Sequence, residues 1–279
     1  MSSSPGANSP APPPELQYER VGDIAVARIA NAGKMNPLTV NLQFALRERL
    51  AEIREDRSLR ALVITGEGRA FCVGADLAGM GPMAGDTRTL GQWTADKMEE
   101  LSNRLVQELR ELPVPVVCAL NGATAGAGVG LALAADLVIA ARSAYLYLPF
   151  LPRLGIVPDL GTTWFLSRLV GRARAAGLAL LGDRLTAEDA ARWGLVWACV
   201  DDTALQEQAM ALATRLAALP AGAALEARRA LDAADRHDLA AQLQYEADRQ
   251  RELIDRPAFV EGVRAFIEKR EPSFPPRSA

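Results

Sequence analysis

The chain holds one histidine, His237, and three cysteines, Cys72, Cys118 and Cys199, in 279 residues. A single imidazole removes most metal-site and Ser-His-Asp arrangements at once, and no metal is expected. The cysteines are odd in number and sit in apolar contexts (AFCVG, VVCAL, WACVD) without a C-x-x-C spacing. They read as buried thiols of a reducing compartment rather than as redox or metal ligands. No uncharged apolar run approaches the ~20 residues of a membrane span. The 31 basic and 34 acidic residues are well mixed, with a net charge of −3, so no nucleic-acid surface is indicated. The opening MSSSPGANSPAPPPELQ lacks the charged and apolar regions of a signal peptide. Its Ser/Pro/Ala composition cannot build a core, and residues 1–15 read as a disordered tail. These absences predict a cytoplasmic protein with neither a nucleic-acid nor a membrane partner.

What is present is an apolar fraction of 49%, in a chain long enough to bury roughly 75% of its unfolded surface. Residues 24–29 read as a strand and 30–37 as a loop. Thr39 is placed to cap a helix that carries Leu42, Leu46, Leu50 and Ile53 on one face. Residues 61–65 form a short buried strand closed by Gly66 and Gly68, and 71–80 a loop of small residues leading to a mobile stretch over 79–85. An amphipathic helix runs from Thr89 to Leu112, where Pro113 cannot continue it. Further strands are expected at 114–120 and 137–141. Strand, helix and strand at this rhythm imply right-handed crossovers and a largely parallel β core. From 172 the pattern is helical: 172–181, 186–192, 203–218, 221–235, 238–254 and 257–269. The expected division is a core over 16–219 and a C-terminal helical oligomerisation region over 220–279, with the boundary at Leu219-Pro220.

The most informative stretch begins with Val114, Val116 and Val117, turns at Asn121-Gly122, and passes through Ala125-Gly126-Ala127-Gly128 into an apolar helix. Small residues let a ligand approach the backbone, and the first N–H groups of a helix have no intrahelical partner. Together they suit a negatively charged oxygen.

Three segments in this order resemble the crotonase superfamily, the enoyl-CoA hydratase/isomerase family. They are ITGEGRAFCVGADL (64–77), PVPVVCALNGATAGAGVGLALAADLVIAA (113–141) and GIVPDLGTTWFLSRLVGRARAAGLALLGDRLTAEDAARWGLV (155–196). The similarity runs from about residue 18 to 279. In wording it is nearest to the ring-1,2-epoxyphenylacetyl-CoA isomerase group. The resemblance implies an α/β fold, a crotonase-like ββα spiral core with a C-terminal helical region, assembled as a homotrimer or dimer of trimers. It implies an acyl-CoA thioester substrate, with CoA as part of the substrate and no separate cofactor. Two backbone N–H groups would hold the thioester oxygen, those of Ala75 in Gly74-Ala75-Asp76 and Ala127 in Gly126-Ala127-Gly128. Fixed amide donors stabilise an enolate without reorganisation, by a few kcal/mol each. Lys34, Leu77, Phe266 and Lys269 are implied CoA-binding residues, and Arg28 is a further phosphate candidate.

The family's hydratases place glutamates at the positions occupied here by Gly130 and Leu151. Hydration needs one group to activate water and another to donate a proton, so their absence argues against it. One acid remains, Asp159 in Ile156-Val157-Pro158-Asp159-Leu160-Gly161, at a position where the epoxide-isomerase group carries a catalytic aspartate. Apolar neighbours would raise its pKa, while an adjoining helix start would lower it. Pro-Asp-x-Gly is equally a turn leading to a helix cap. Asp76 and Asp136 read better as ligands of backbone N–H groups, Glu67 and Arg69 as solvated, and His237 as a surface residue. Trp93 and Met98 suit either an acyl pocket or core packing. The expected activity is an acyl-CoA isomerase. The alternatives are an enoyl-CoA hydratase or another crotonase-type lyase or hydrolase, and a non-catalytic acyl-CoA-binding oligomer.

Overall fold

The computed structural model describes residues 15–82 and 84–275. Residues 1–14 of the expected tail lie outside them. Its last member, Glu15, accepts hydrogen bonds from Asn31 Nδ2 (3.2 Å) and from the Thr39 hydroxyl.

Short β-branched and alanine-rich runs build a six-stranded sheet in the order β1-β2-β3-β5-β7-β10. Its members are β1 (Leu16–Val21), β2 (Ile24–Ile29), β3 (Ala61–Gly66), β5 (Val116–Leu120), β7 (Leu137–Ala141) and β10 (Ala198–Val200). Only the β1–β2 hairpin is antiparallel; the other neighbours are parallel. Strands β3 and β5 are buried along their whole length, as continuous apolar runs in a covered parallel sheet should be. A second, four-stranded sheet has the order β4-β6-β8-β9, from Ala70–Cys72, Ala123–Ala125, Tyr145–Tyr147 and Leu185–Thr186. Each successive turn of the chain thus adds a strand to both sheets. The sequence reading missed this second sheet, because strands of two or three residues are too short for any periodicity to register.

Helix α1 (Val40–Glu55) begins where expected: Thr39 Oγ1 accepts the Leu42 N–H at 3.0 Å, and Leu42, Leu46, Leu50 and Ile53 are buried. The expected helix 89–112 is instead α2 (Leu90–Lys97), a π-helical turn (Met98–Ser102) and α3 (Asn103–Arg110). Thr89 and Gln92 close a reciprocal capping box at its start. Helix α4 (Ala127–Leu133) is entirely buried. Helix α5 (Thr162–Leu181) begins ten residues earlier than the helical region read from the sequence and breaks at Gly171, which has φ 73°. Helix α6 (Ala187–Trp193) and then α7 (Leu205–Ala217) follow, and α7 packs on β2, β3, β5 and β7. Leu205, Ala209, Ala213 and Ala217 recur every four residues along its buried face, so mostly small side chains let it lie close to the sheet.

The C-terminal helices are α8 (Ala223–Ala234), α9 (Leu239–Ile254) and α10 (Pro257–Glu268). The buried Arg228 of α8 binds both carboxylate oxygens of Asp136, at 2.6 and 2.7 Å, and donates to the Arg110, Leu112 and Val114 carbonyls. Asp136 also accepts the Val116 N–H at 2.7 Å, the backbone role read for it from the sequence. This network fastens α8 across the strand ends, whereas α9 contributes no buried residue.

Candidate active site

A cavity of about 380 Å³ opens between the N-terminus of α1, the 75–80 loop, the α2–π turn and the starts of α4 and α5. Ala75 and Ala127 both line it, together with Asp159 and Leu160.

The two donor loops touch. A methyl group added to Gly74 would lie 3.1 Å from the Ala127 nitrogen and 3.0 Å from the Ala125 oxygen. Gly74 has φ 90° and Gly126 φ 53°, left-handed conformations that side chains disfavour. Each donor is aimed by the carbonyl of its own peptide unit, because the two point in opposite directions across a trans bond. The Gly74 carbonyl accepts the Leu38 N–H at 2.8 Å, which turns the Ala75 N–H the other way. The Gly126 carbonyl accepts the Val129 N–H at 3.0 Å, leaving the Ala127 N–H projecting from the first position of α4, where no preceding turn can receive it. No hydrogen bond within the described residues takes up the Ala75 N–H. Behind them, Gly128 permits a very close approach, since a methyl group there would sit 2.2 Å from the Cys72 oxygen. Burial pushes the Cys72 thiol up to about 12, with the neighbouring Gly74 backbone acting weakly in the opposite sense. Cys72 is therefore an uncharged packing element.

Asp159 sits in the turn before α5. Its backbone carbonyl, not its carboxylate, accepts the Thr162 N–H at 2.9 Å. The residue at the helix N-cap is Gly161, with no side-chain cap, which removes the capping explanation of the Pro-Asp-x-Gly sequence. Asp159 Oδ1 is buried without a hydrogen-bond partner among the described residues. Desolvation pushes the carboxyl up to about 6, opposed weakly by its own backbone N–H. A carboxylate left in this state is poised to exchange a proton near neutral pH.

Gly130, where the family's hydratases carry a glutamate, is enclosed. A methyl group on it would meet the Leu160 oxygen at 2.6 Å and both Leu160 Cβ and Thr162 Oγ1 at 2.8 Å. The Leu160 backbone, at φ 47°, occupies the space that such a side chain would need.

Trp93 and Met98 line the cavity, deciding in favour of the pocket reading over core packing alone. Asp76 also lines it, but its side chain makes no bond to the backbone among the described residues; its carbonyl accepts the Gly79 N–H at 3.1 Å. That corrects the reading of its carboxylate as a loop fastener. Leu77 is exposed beside it. Lys34 ends an exposed short turn (Ala32–Lys34) outside the cavity lining, and Arg28 is half-buried on β2. Phe266 is 85% exposed on α10 and Lys269 follows it in a left-handed conformation. This chain alone does not bring either to the cavity. His237 is exposed, bonded to Gln242. The sequence reading overlooked Gln43 and Ser102, both buried and lining the cavity. A glutamine beside Leu42 on the apolar face of α1 was the available signal.

Two glycine-supported amide N–H groups and a desolvated carboxyl thus share one cavity. The enoyl-CoA hydratase/isomerase family profile matches residues 19–277, and the chain belongs to that family. It is 44% identical over 244 residues to the 1,2-epoxyphenylacetyl-CoA isomerase of Escherichia coli (strain K12), covering 86% of this chain and 90% of that protein. It is 42% identical to a Rhodobacter capsulatus protein named "probable enoyl-CoA hydratase", covering 93% and 97%. Among solved structures, an enoyl-CoA hydratase from Polaromonas sp. JS666 superposes with TM-score 0.86 at 29% identity, covering 93% of this chain and 99% of that one. An enoyl-CoA hydratase from Bacillus anthracis does so with TM-score 0.84 at 31% identity, covering 93% and 98%. The mixed α/β architecture is that of the crotonase fold, as expected from the motifs.

Proposed function

We propose that this enzyme is an acyl-CoA isomerase. Its substrate class is an enoyl-CoA undergoing a 2,3-/3,2 double-bond shift, or a ring epoxide of the phenylacetyl-CoA type. The thioester oxygen lies between the Ala75 and Ala127 N–H groups. In the double-bond shift, Asp159 removes a proton from one carbon and the electron pair moves onto the thioester oxygen as an enolate. Asp159 then returns the proton to another carbon as the carbonyl re-forms. No water is consumed, and no cofactor beyond the substrate's own CoA is invoked.

The observation that carries this reading is the Asp159 carboxylate, its Oδ1 buried and without a partner among the described residues, in the same cavity as both amide donors. Two further facts support it. The position used by a hydratase glutamate is filled by Leu160 backbone, and a relative at 44% identity is named as an isomerase. The exposed apolar side chains Leu239, Leu243, Val260, Phe266 and Ile267 on α9 and α10 support assembly as a homotrimer or dimer of trimers.

Asp159→Asn keeps the side chain's size but cannot accept the proton. Across a panel of enoyl-, aryl-epoxide and hydroxyacyl-CoA thioesters, its isomerase turnover should fall about 10²–10⁴-fold with thioester binding retained. Near-normal turnover by a folded Asp159→Asn protein would refute the mechanism. Rapid incorporation of solvent oxygen into product would favour hydration instead.

A further inference from the structure

We infer that Gln43 is a positioning residue that aims the oxyanion donor Ala75, and that Ser102 holds Gln43 in place. The inference rests on the proposed role of the Ala75 N–H.

Five groups form a continuous chain of hydrogen bonds and covalent links. Ser102 Oγ donates to Gln43 Oε1 at 2.6 Å. Gln43 Nε2 donates to the Leu38 carbonyl at 3.3 Å. The Leu38 N–H donates to the Gly74 carbonyl at 2.8 Å, and that carbonyl shares a rigid peptide unit with the Ala75 N–H. A carbonyl can only accept, so the Leu38 oxygen fixes which end of the Gln43 amide faces it. The other end must then be the oxygen, which is what the Ser102 hydroxyl meets.

The surroundings show why a side chain is needed here. Residues 36–38 lie before the first turn of α1, where no helical ladder holds the Leu38 carbonyl. Leu38, Gln43 and Ser102 are all buried, so loss of the Gln43 amide would remove the side-chain donor that holds the Leu38 carbonyl. Ser102 reaches Gln43 from the last position of the π turn, Met98–Ser102. A π turn re-aims the residues that it contains. Met98 at its start and Trp93 five residues earlier line the same cavity. The helix that flanks the acyl group therefore also sets the position of the donor that polarises its thioester.

Gln43→Met preserves volume and removes both hydrogen bonds; Ser102→Ala removes only the outer one. The probe is a saturated phenylacetyl-CoA carrying a ¹³C-labelled thioester carbonyl, read by isotope-edited infrared spectroscopy on the full-length protein. In the parent protein the bound carbonyl band should move to lower wavenumber than in free solution. In Gln43→Met that displacement should shrink and kcat should fall about 10-fold at nearly unchanged KM, a fraction of the 10²–10³ that follows complete loss of one oxyanion donor. Ser102→Ala should change both in the same direction by less. A packing defect alone would lower the melting temperature without moving the carbonyl band. A folded Gln43→Met protein with the parent band position and kcat overturns the inference. If Gln43→Met does not fold, the same two readouts on Ser102→Ala decide. If the parent band itself does not move, the oxyanion assignment has failed, and the inference fails with it.

Discussion

The part of the cavity wall built by Ala75 and Ala127 is backbone held by backbone, whereas the turn before α5 offers a carboxylate whose buried Oδ1 has no hydrogen-bond partner among the described residues. Ala75 and Ala127 contribute only their N–H groups, aimed by the Gly74 and Gly126 carbonyls and backed by the close approach of Gly128 to Cys72. Their side chains are nearly irrelevant. Asp159 is the reverse case: its backbone carbonyl is taken by the Thr162 N–H in the turn before α5, and its carboxylate Oδ1 stays buried without a partner among the described residues. In the proposed mechanism the first wall stabilises charge on a thioester oxygen whatever bond is being rearranged, and the second decides which reaction follows. This division is how a single fold hosts several chemistries, with function residing in the site rather than in the scaffold.

One large expected effect breaks the backbone wall. Ala127→Pro is compatible with the first position of a helix, yet it deletes one donor, so kcat should drop about 10²–10³-fold. Circular dichroism and thioester binding should be preserved; undiminished turnover would mean that the Ala127 N–H does not meet the oxygen. Next comes an attempt to turn the acid wall into a hydratase. Gly130→Glu should destabilise the protein by several kcal/mol, since its Cβ alone meets Leu160 and Thr162 below 3.0 Å. It should confer no hydration; a soluble variant that adds solvent oxygen to enoyl-CoA would show that Leu160 yields easily.

The smallest effects concern pH. If Asp159 is the base, kcat/KM in the parent protein should rise with pH through about 6 and then level off. The same carboxyl costs stability. Its folded pKa lies above the unfolded value, so the native state binds more protons than the unfolded chain in the window between about 4 and 6. Stability should therefore decline as pH rises through that window. Asp159→Asn should remove the decline and be the more stable protein above pH 6, by about 1–2 kcal/mol. Thermal denaturation of both proteins across that range checks the sign; an equal slope would place Asp159 in solvent.

How legible was all this beforehand? The large sheet, α1 with its Thr39 cap, and the donor loops could be read because each rests on a run long enough to carry a period or on glycines at fixed spacing. The kinked course of 89–112 could not, since a π turn adds one residue to a helical pattern without altering its composition. Nor could the second sheet, whose strands each contribute only two or three residues. Asp159 was visible as a motif position, but its sequence context fitted a helix cap equally well. Only the structure shows that its carbonyl takes the capping bond and frees the carboxylate. Gln43 and Ser102 are separated by 59 positions, and no local pattern joins them.

The resemblance of three motifs to the crotonase superfamily implied a CoA thioester and marked the missing hydratase glutamates, whereas composition and spacing by themselves determined two glycine-lined loops able to expose backbone donors and the places where charge can sit. These follow from local chemistry: which residues permit left-handed backbone, and which can bear charge. Tertiary structure alone decided that the two loops abut, that Leu160 closes the space beside Gly130, and that Asp159 is desolvated. Each is a relation between residues distant in the chain or a result of burial, and burial is a property of the packed fold that no single segment contains.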